Sequence, residues 1–257
     1  MTQTSLPRIV DVFVGKGALG NPAAVVTCPN LPPEDEMQRQ AARIGTPATA
    51  FVDGSDAVRW FSPDHEIALC GHGALAVGHV LIGAGKGDKV ALRTRDGGVV
   101  SVRRLSGDGR YEVGLPEIRT APKELHALAG ALRVTPLQIR WNEAGYVLAI
   151  LETAQEVREI APDIQMLAAL GNWQVSVSAP GDIDGADIVS RVFSGGGKED
   201  AATGSAHAAL APYWCERLGR DRITAYQASQ RGGWLDCGIG PAGTIHIGGA
   251  VRDQRSG

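Results

Sequence analysis

The sequence predicts an α+β fold of two pseudo-symmetric lobes, each a barrel-like curved β-sheet wrapped around one central helix. Three observations predict it. Short β-rich segments outnumber helical ones along the 257 residues. Two helical segments are apolar nearly all the way round for about two turns, the pattern of a helix buried on every side. The same order of elements also occurs twice. A strand ending at Trp60-Phe61 leads through a loop to Cys70-Gly71-His72-Gly73 and an Ala/Val/Leu helix. A strand ending at Val192-Phe193 leads to Thr203-Gly204-Ser205-Ala206-His207 and Ala208-Ala209-Leu210. The spacing is too long for a solenoid, so it reads as one duplication. Buried helices in an ordinary α/β sheet are the alternative that pattern alone leaves open.

Taken in order, Arg8 to Val14 is a β-rich alternating run, Gly15 to Pro22 turns the chain, and Ala23 to Val26 resumes as a strand. Leu31-Pro32-Pro33 opens a helix with Met37, Ala41 and Ile44 on one stripe. Strands at Thr49 to Val52 and Ala57 to Phe61 flank the turn Asp53-Gly54-Ser55-Asp56. Further strands fall at Val90 to Thr94, Val99 to Leu105 and Tyr111 to Leu115, with Asp96-Gly97-Gly98 as a hairpin-type turn. Pro116 to Pro122 reads as a linker, which places an N-terminal lobe at residues 1–117 and a C-terminal lobe at 122–257. The second lobe opens with a helix from Lys123 to Leu132 and strands at Ile139 to Trp141 and Tyr146 to Leu151. Helices at Ala154 to Ile160 and Pro162 to Leu170 precede strands at Gln174 to Val177 and Ala186 to Phe193. After the second central helix come strands at Ile223 to Gln227, Gly233 to Ile239 and Thr244 to Ile247.

Composition narrows the partners. Hydrophobic residues at 44% and charged residues at 21% are ordinary for a globular chain. A net charge of −3, with no Lys/Arg run beyond two residues, argues against nucleic acid and against an anionic membrane as partner. The apolar stretch Ile67 to Ala84 contains His72, His79 and several glycines, so it is a poor membrane span. Met-Thr-Gln-Thr-Ser-Leu-Pro-Arg at the start lacks the basic-then-apolar order of a signal peptide. The 4 cysteines, Cys28, Cys70, Cys215 and Cys237, lie far apart with no CxxC pair. No zinc site or disulfide framework is expected from them, and a cytoplasmic location suits them. The 34 glycines fit many tight turns between short strands.

The chemistry gathers at the two helix starts. A helix start exposes free N–H groups with a dipole that favours an anion, and glycine lets a ligand approach the backbone. Gly71, Gly73 and Gly204 would then hold a carboxylate and stabilise enolate-like charge. Tight turns needed only for packing are the plainer account. His72 is the leading acid/base candidate, since imidazole titrates near neutrality, although a lone histidine is more often structural. Asp200 either caps its turn or, with a raised pKa, shuttles protons. Cys70 beside His72 is a candidate thiolate, with buried packing the commoner fate. His207 reads as structural, and Lys198 and Arg231 are weaker candidates as carboxylate clamps. There is no GxSxG, P-loop or HExxH motif. Gly195-Gly196-Gly197 is followed by Lys198-Glu199-Asp200, whose carboxylates would repel a phosphate, so a nucleotide enzyme is disfavoured.

The chain resembles the PhzF-like (phenazine biosynthesis-type) isomerases, related in fold to diaminopimelate epimerase and proline racemase. The matching segments are Asp11-Val12-Phe13, Gly20 through Val26, Thr49-Ala50-Phe51-Val52, Arg59 through Pro63 and Glu66 through Gly73. They continue with Thr94 through Gly98, Ala161-Pro162-Asp163, Asp187 through Phe193, Glu199 through His207 and Gly248 through Val251. The resemblance implies a cofactor-independent homodimer whose substrate is a small carboxylic acid. It implies that His72, Asp200 and Ser205 surround that substrate. The family's proton-moving glutamate has no counterpart, because Thr46-Pro47-Ala48-Thr49-Ala50-Phe51-Val52 puts Ala48 at its position. Ala201 stands for the usual proline, and Gly232-Gly233-Trp234-Leu235 for a Gly-Arg-Pro-Ser-like segment. The resemblance therefore implies an isomerase shifting a proton or double bond on a small amino acid in specialised metabolism, antibiotic biosynthesis included. A homologue that binds its ligand without turnover is the alternative, and an amino-acid epimerase a further one. Epimerisation through two cysteines is disfavoured, since Asp200-Ala201 stands where the partner of Cys70 would be needed.

Overall fold

The computed structural model describes residues 5–106, 109–194 and 198–254. It is a mixed α/β structure that divides into two units. One is the chain up to Leu115 together with the residues from Gly248, and the other is Pro116–Ile247.

The first unit holds β1 (Arg8–Val14), β2 (Asn21–Cys28), α1 (Glu34–Ile44), β3 (Ala48–Asp53), β4 (Val58–Phe61), β5 (Glu66–Ile67), α2 (Gly71–Gly83), β6 (Lys89–Arg93), β7 (Val99–Arg104) and β8 (Arg110–Pro116). β1 and β2 are antiparallel, β2 and β3 are parallel across α1, and β3 to β4 to β5 returns antiparallel. β6, β7 and β8 form an antiparallel meander. The β1–β2 turn carries G-x-G-x-x-G spacing at Gly15, Gly17 and Gly20. It joins antiparallel strands rather than a strand to a helix, so it is not a dinucleotide loop. Gly20 sits at φ +69 with the Val12 carbonyl oxygen 2.2 Å from where a Cβ would be, so no other residue fits there.

The second unit holds β9 (Ala121–Pro122), α3 (His126–Leu132), β10 (Gln138–Trp141), β11 (Tyr146–Ile150), α4 (Ala154–Glu159), α5 (Ile164–Ala169), β12 (Gln174–Pro180), β13 (Ile188–Phe193), β14 (Glu199–Asp200), α6 (Gly204–Leu218), β15 (Arg222–Gln227), β16 (Gly233–Ile239) and the start of β17 (Thr244–Asp253). Its connectivity repeats the first: β10–β11 antiparallel, β11–β12 parallel across helices, then β12–β13–β14 antiparallel before the central helix. The duplication expected from sequence is thus a duplication of pairing.

In each unit part of the sheet is buried on both faces. In the first unit Met37 and Ala41 of α1 pack on Val26, Phe51 and Phe61. The other face wraps α2, where Gly71 through Gly78 and Val80 through Ile82 are buried. In the second unit α3, α4 and α5 place Leu128, Val157 and Leu167 against Val147, Val175 and Val177. There α6 is the enclosed helix, with Ala206 through Ala211 buried and Trp214 Nε1 donating to Ser178 Oγ at 3.0 Å. Pro212 within α6 has no N–H to give the Ala208 carbonyl, which instead accepts from Ile118 N at 3.4 Å.

The same brace precedes both central helices. Arg59 on β4 grips Glu66 on β5 through two bonds of 2.6 Å, and its guanidinium lies 5.2 Å from the Phe61 ring centre. Arg191 on β13 grips Glu199 on β14 at 2.7 and 3.0 Å, 5.3 Å from the Phe193 ring centre. Bidentate pairing of this kind fixes direction as well as distance.

Several boundaries differ from the sequence expectation. The last strand runs on from Ile247 to Asp253 because Ala250 through Asp253 pair with β1, so the residues from Gly248 belong to the first unit. Arg8 and Asp253 clasp that pairing at 2.6 and 2.7 Å, with His79 Nε2 3.1 Å from the same carboxylate. These partners, Arg8 foremost, hold Asp253 down to about 2. The helix expected from Lys123 starts at His126, because the Lys123 N–H bonds the Ile139 carbonyl in sheet fashion. The two-residue strands β5, β9 and β14 are too short to show in a pattern.

Close packing in the first unit gives a direct test. A Cβ on Gly78 of α2 would lie 2.3 Å from Val102 Cγ1, and a β-branched side chain cannot swing aside. Gly78→Ala should therefore cost about 1–3 kcal/mol in urea unfolding, and clearly less in a Val102→Ala background.

Candidate functional site

In the first unit the candidate residues sit where α2 begins. Cys70 is the residue before the helix, in extended conformation, and no side chain caps the helix start. Its N–H groups therefore lack the side-chain acceptor that such a start ordinarily carries. Cys70 Sγ lies 3.5 Å from His72 Nδ1, both side chains being buried, so the thiol and imidazole share one hydrogen bond. Gly73 is a glycine of necessity: a Cβ would meet Trp60 Cδ1 at 2.7 Å and Cys70 Sγ at 3.0 Å. The pyrrole edge of Trp60 thus lies on the helix start, and its buried Nε1–H has no hydrogen-bond partner among the described residues. Ala48, the first residue of β3, is wholly buried and presents only a methyl group. The other three thiols belong to packing. Burial pushes Cys28 up to about 11 and raises Cys215 and Cys237 as well.

In the second unit the corresponding start is built from polar side chains. Gly204 opens α6 and Thr203 precedes it in extended conformation, yet the Thr203 hydroxyl makes no capping bond. Two of the outer helices differ: Thr153 caps α4 through a reciprocal bond with Glu156, and Asp163 caps α5, whereas α1 and α3 start on Pro33 and Leu125 without a side-chain cap. A threonine in Thr203's position usually contributes about 1 kcal/mol by capping. Here its hydroxyl donates instead to Asp200 Oδ2 at 2.6 Å, while Ala201 N donates to Oδ1 at 2.9 Å. Ser205, on the first turn, exchanges a 3.3 Å hydrogen bond with the Gln174 amide on β12. Lys198 is exposed and Arg231 half-buried. Gly195, Gly196 and Gly197 lie outside the described residues.

His207 has the structural role expected of it. It is fully buried, Nδ1 lies 2.8 Å from the Thr203 carbonyl and must carry the proton, and Nε2 accepts from Ser190 Oγ at 3.1 Å. Burial depresses its pKa from 6.5 to about 4, so it is neutral at pH 7. Gln227, which pattern reasoning passed over, is also fully buried and reaches both Asp200 and Thr203. A glutamine facing inward on an otherwise apolar strand face was the signal that could have found it.

A family model described as phenazine biosynthesis-like protein, PhzC-PhzF, matches residues 10–246. The chain belongs to this family. An uncharacterised isomerase of Halalkalibacterium halodurans is 32% identical over 262 residues, covering 96% of each chain. The crystal structure of a PhzF-family phenazine biosynthesis protein from Enterococcus faecalis superposes with a TM-score of 0.87 at 32% identity, covering 99% of this chain and 98% of that one. A hydroxyproline epimerase of Agrobacterium vitis shares the fold at a TM-score of 0.60 and 15% identity, covering 99% and 92%. The PhzF-like chain thus has the racemase-type and epimerase-type fold that its sequence implied. No helix among its described residues is long and apolar enough to cross a membrane.

The buried His207 fixes the sign of one pH effect. Between about 4 and 6.5 the unfolded chain binds the proton that the folded chain refuses, so this part of stability is full at pH 7 and is lost as pH falls. A His207→Gln variant lacks that component. Its stability deficit relative to the unsubstituted protein should shrink by up to about 3 kcal/mol when urea unfolding is moved from pH 7 to pH 4.

Proposed function

We propose that this PhzF-like protein is an isomerase that shifts a proton or double bond on a small amino carboxylic acid, as part of specialised metabolism. The observation that carries the reading is shared by both units: each enclosed helix begins without a side-chain cap, and each start holds proton-carrying side chains. An uncapped start offers N–H donors to a carboxylate, and that is where charge develops when a proton leaves the adjacent carbon. The candidate carboxylate donors in this reading are the backbone N–H groups of Gly71 and Gly73 in the first unit, and the Gly204 N–H with the Ser205 hydroxyl in the second. His72 and Asp200 are the candidate acid/base residues in this reading. Cys70 is the hydrogen-bond partner that sets the orientation of the His72 ring. The reading needs no cofactor, and the names of the relatives support isomerisation as the reaction type.

A second reading rests on Ala48. A buried methyl group accepts no proton, so a chain with alanine there could hold its ligand without turning it over.

Proton–deuterium exchange followed by NMR in heavy water separates the two. On a panel of unsaturated and cyclic amino acids, the unsubstituted protein is expected to exchange or isomerise at least one compound. Asp200→Asn and His72→Ala should each lower that rate by about 100-fold or more while remaining folded. Ala48→Glu should raise it if the site retains the family's geometry. Binding without exchange for every compound would leave the non-catalytic reading standing.

A further inference from the structure

We propose that Thr203 and Gln227 are positioning residues that together orient the Asp200 carboxylate, an inference resting on Asp200 as a proton carrier. The hydrogen-bond directions are forced by the backbone. Gln227 Oε1 faces the Thr203 N–H at 2.9 Å, and Gln227 Nε2 faces the Asp200 carbonyl at 2.7 Å. A backbone N–H only donates and a backbone carbonyl only accepts, so the amide has one orientation. Nε2 also lies 3.3 Å from Thr203 Oγ1 and donates to it. The threonine's own hydrogen is then directed to Asp200 Oδ2, 2.6 Å away. His207 holds the Thr203 carbonyl from the other side at 2.8 Å. Thr203 is therefore gripped at its N–H, its carbonyl and its hydroxyl.

Two features distinguish this from ordinary support of a helix end. The hydroxyl is withdrawn from the capping bond that residue type normally makes, which leaves the helix N–H groups open. The chain of donors also ends on a half-buried carboxylate rather than on the helix. Gln227 and Thr203 set which way Asp200 faces, and the open helix start is a by-product of the same bonds.

The test uses the panel compound that the unsubstituted protein exchanges fastest. Thr203→Val and Gln227→Met, which keep the side-chain volume, should lower kcat about 10- to 100-fold with KM within about threefold. Thr203→Ser, which keeps the hydroxyl, should recover most of that loss. In an Asp200→Asn background neither substitution should lower the residual rate further, since each acts through Asp200. An unchanged kcat in Thr203→Val, or an equal further loss without the carboxylate, overturns the proposal. A crystal structure of Thr203→Val decides it independently of turnover: a carboxylate turned from its bonded orientation supports it, and one that has not moved overturns it. If the unsubstituted protein exchanges nothing, the role of Asp200 as proton carrier falls, while the same crystal structure still decides what orients it.

Discussion

The constraint on which the rest depends is the burial of α2 and α6 around most of their circumference. Through its first two turns each helix is almost wholly buried inside its own sheet, so the start is the part left to meet a solute. Sequence and packing therefore direct the chemistry to the first turn. The Arg59–Glu66 and Arg191–Glu199 braces complete the arrangement, because each fixes the strand return that precedes a helix start. In both units three residues separate the braced glutamate from the residue that precedes the helix, Cys70 in one and Thr203 in the other. One geometry has thus been kept twice, with different side chains delivered to it.

Those side chains have diverged in kind. The first unit surrounds its helix start with an indole edge, a thiol and an imidazole, and needs Gly73 so that the indole can lie on the backbone. The second surrounds its start with a carboxylate, a hydroxyl and an amide joined by short hydrogen bonds. The first set is soft and largely apolar. The second is rigid and fully committed, since each amide and hydroxyl has a direction imposed by its neighbour. A duplicated scaffold has acquired two unlike proton environments without altering the pairing of its strands.

Most of the fold was legible in the sequence because its signals are local. Alternation marked β1, the Met37-Ala41-Ile44 stripe marked α1, and apolar residues on every side marked the two central helices. What escaped was set by distant partners. Nothing in Gly248 through Asp253 says that its pairing strand lies more than two hundred residues earlier. Lys123 looks helical until the Ile139 carbonyl takes its N–H. In the candidate site, Asp200, Cys70 and His72 stood out because they flank glycine-rich helix starts, and Ser205 only through the family resemblance. Gln227 did not, since a glutamine at the end of a β-strand carries no motif; its inward place on an apolar strand face was its one trace, and its role comes from the two backbone groups it meets.

The clasp of Arg8 by Asp253 bears on how the chain comes off the ribosome. β1 is made more than two hundred residues before the segment that pairs with it along one edge. Until residues 250–253 emerge, β1 can pair only with β2, leaving an apolar strand with an open row of backbone donors and acceptors. The first unit is thus the earlier to be synthesised and cannot be the earlier to be finished. During that interval its exposed strand edge is a place where a nascent chain is open to pairing with its neighbours on the same message.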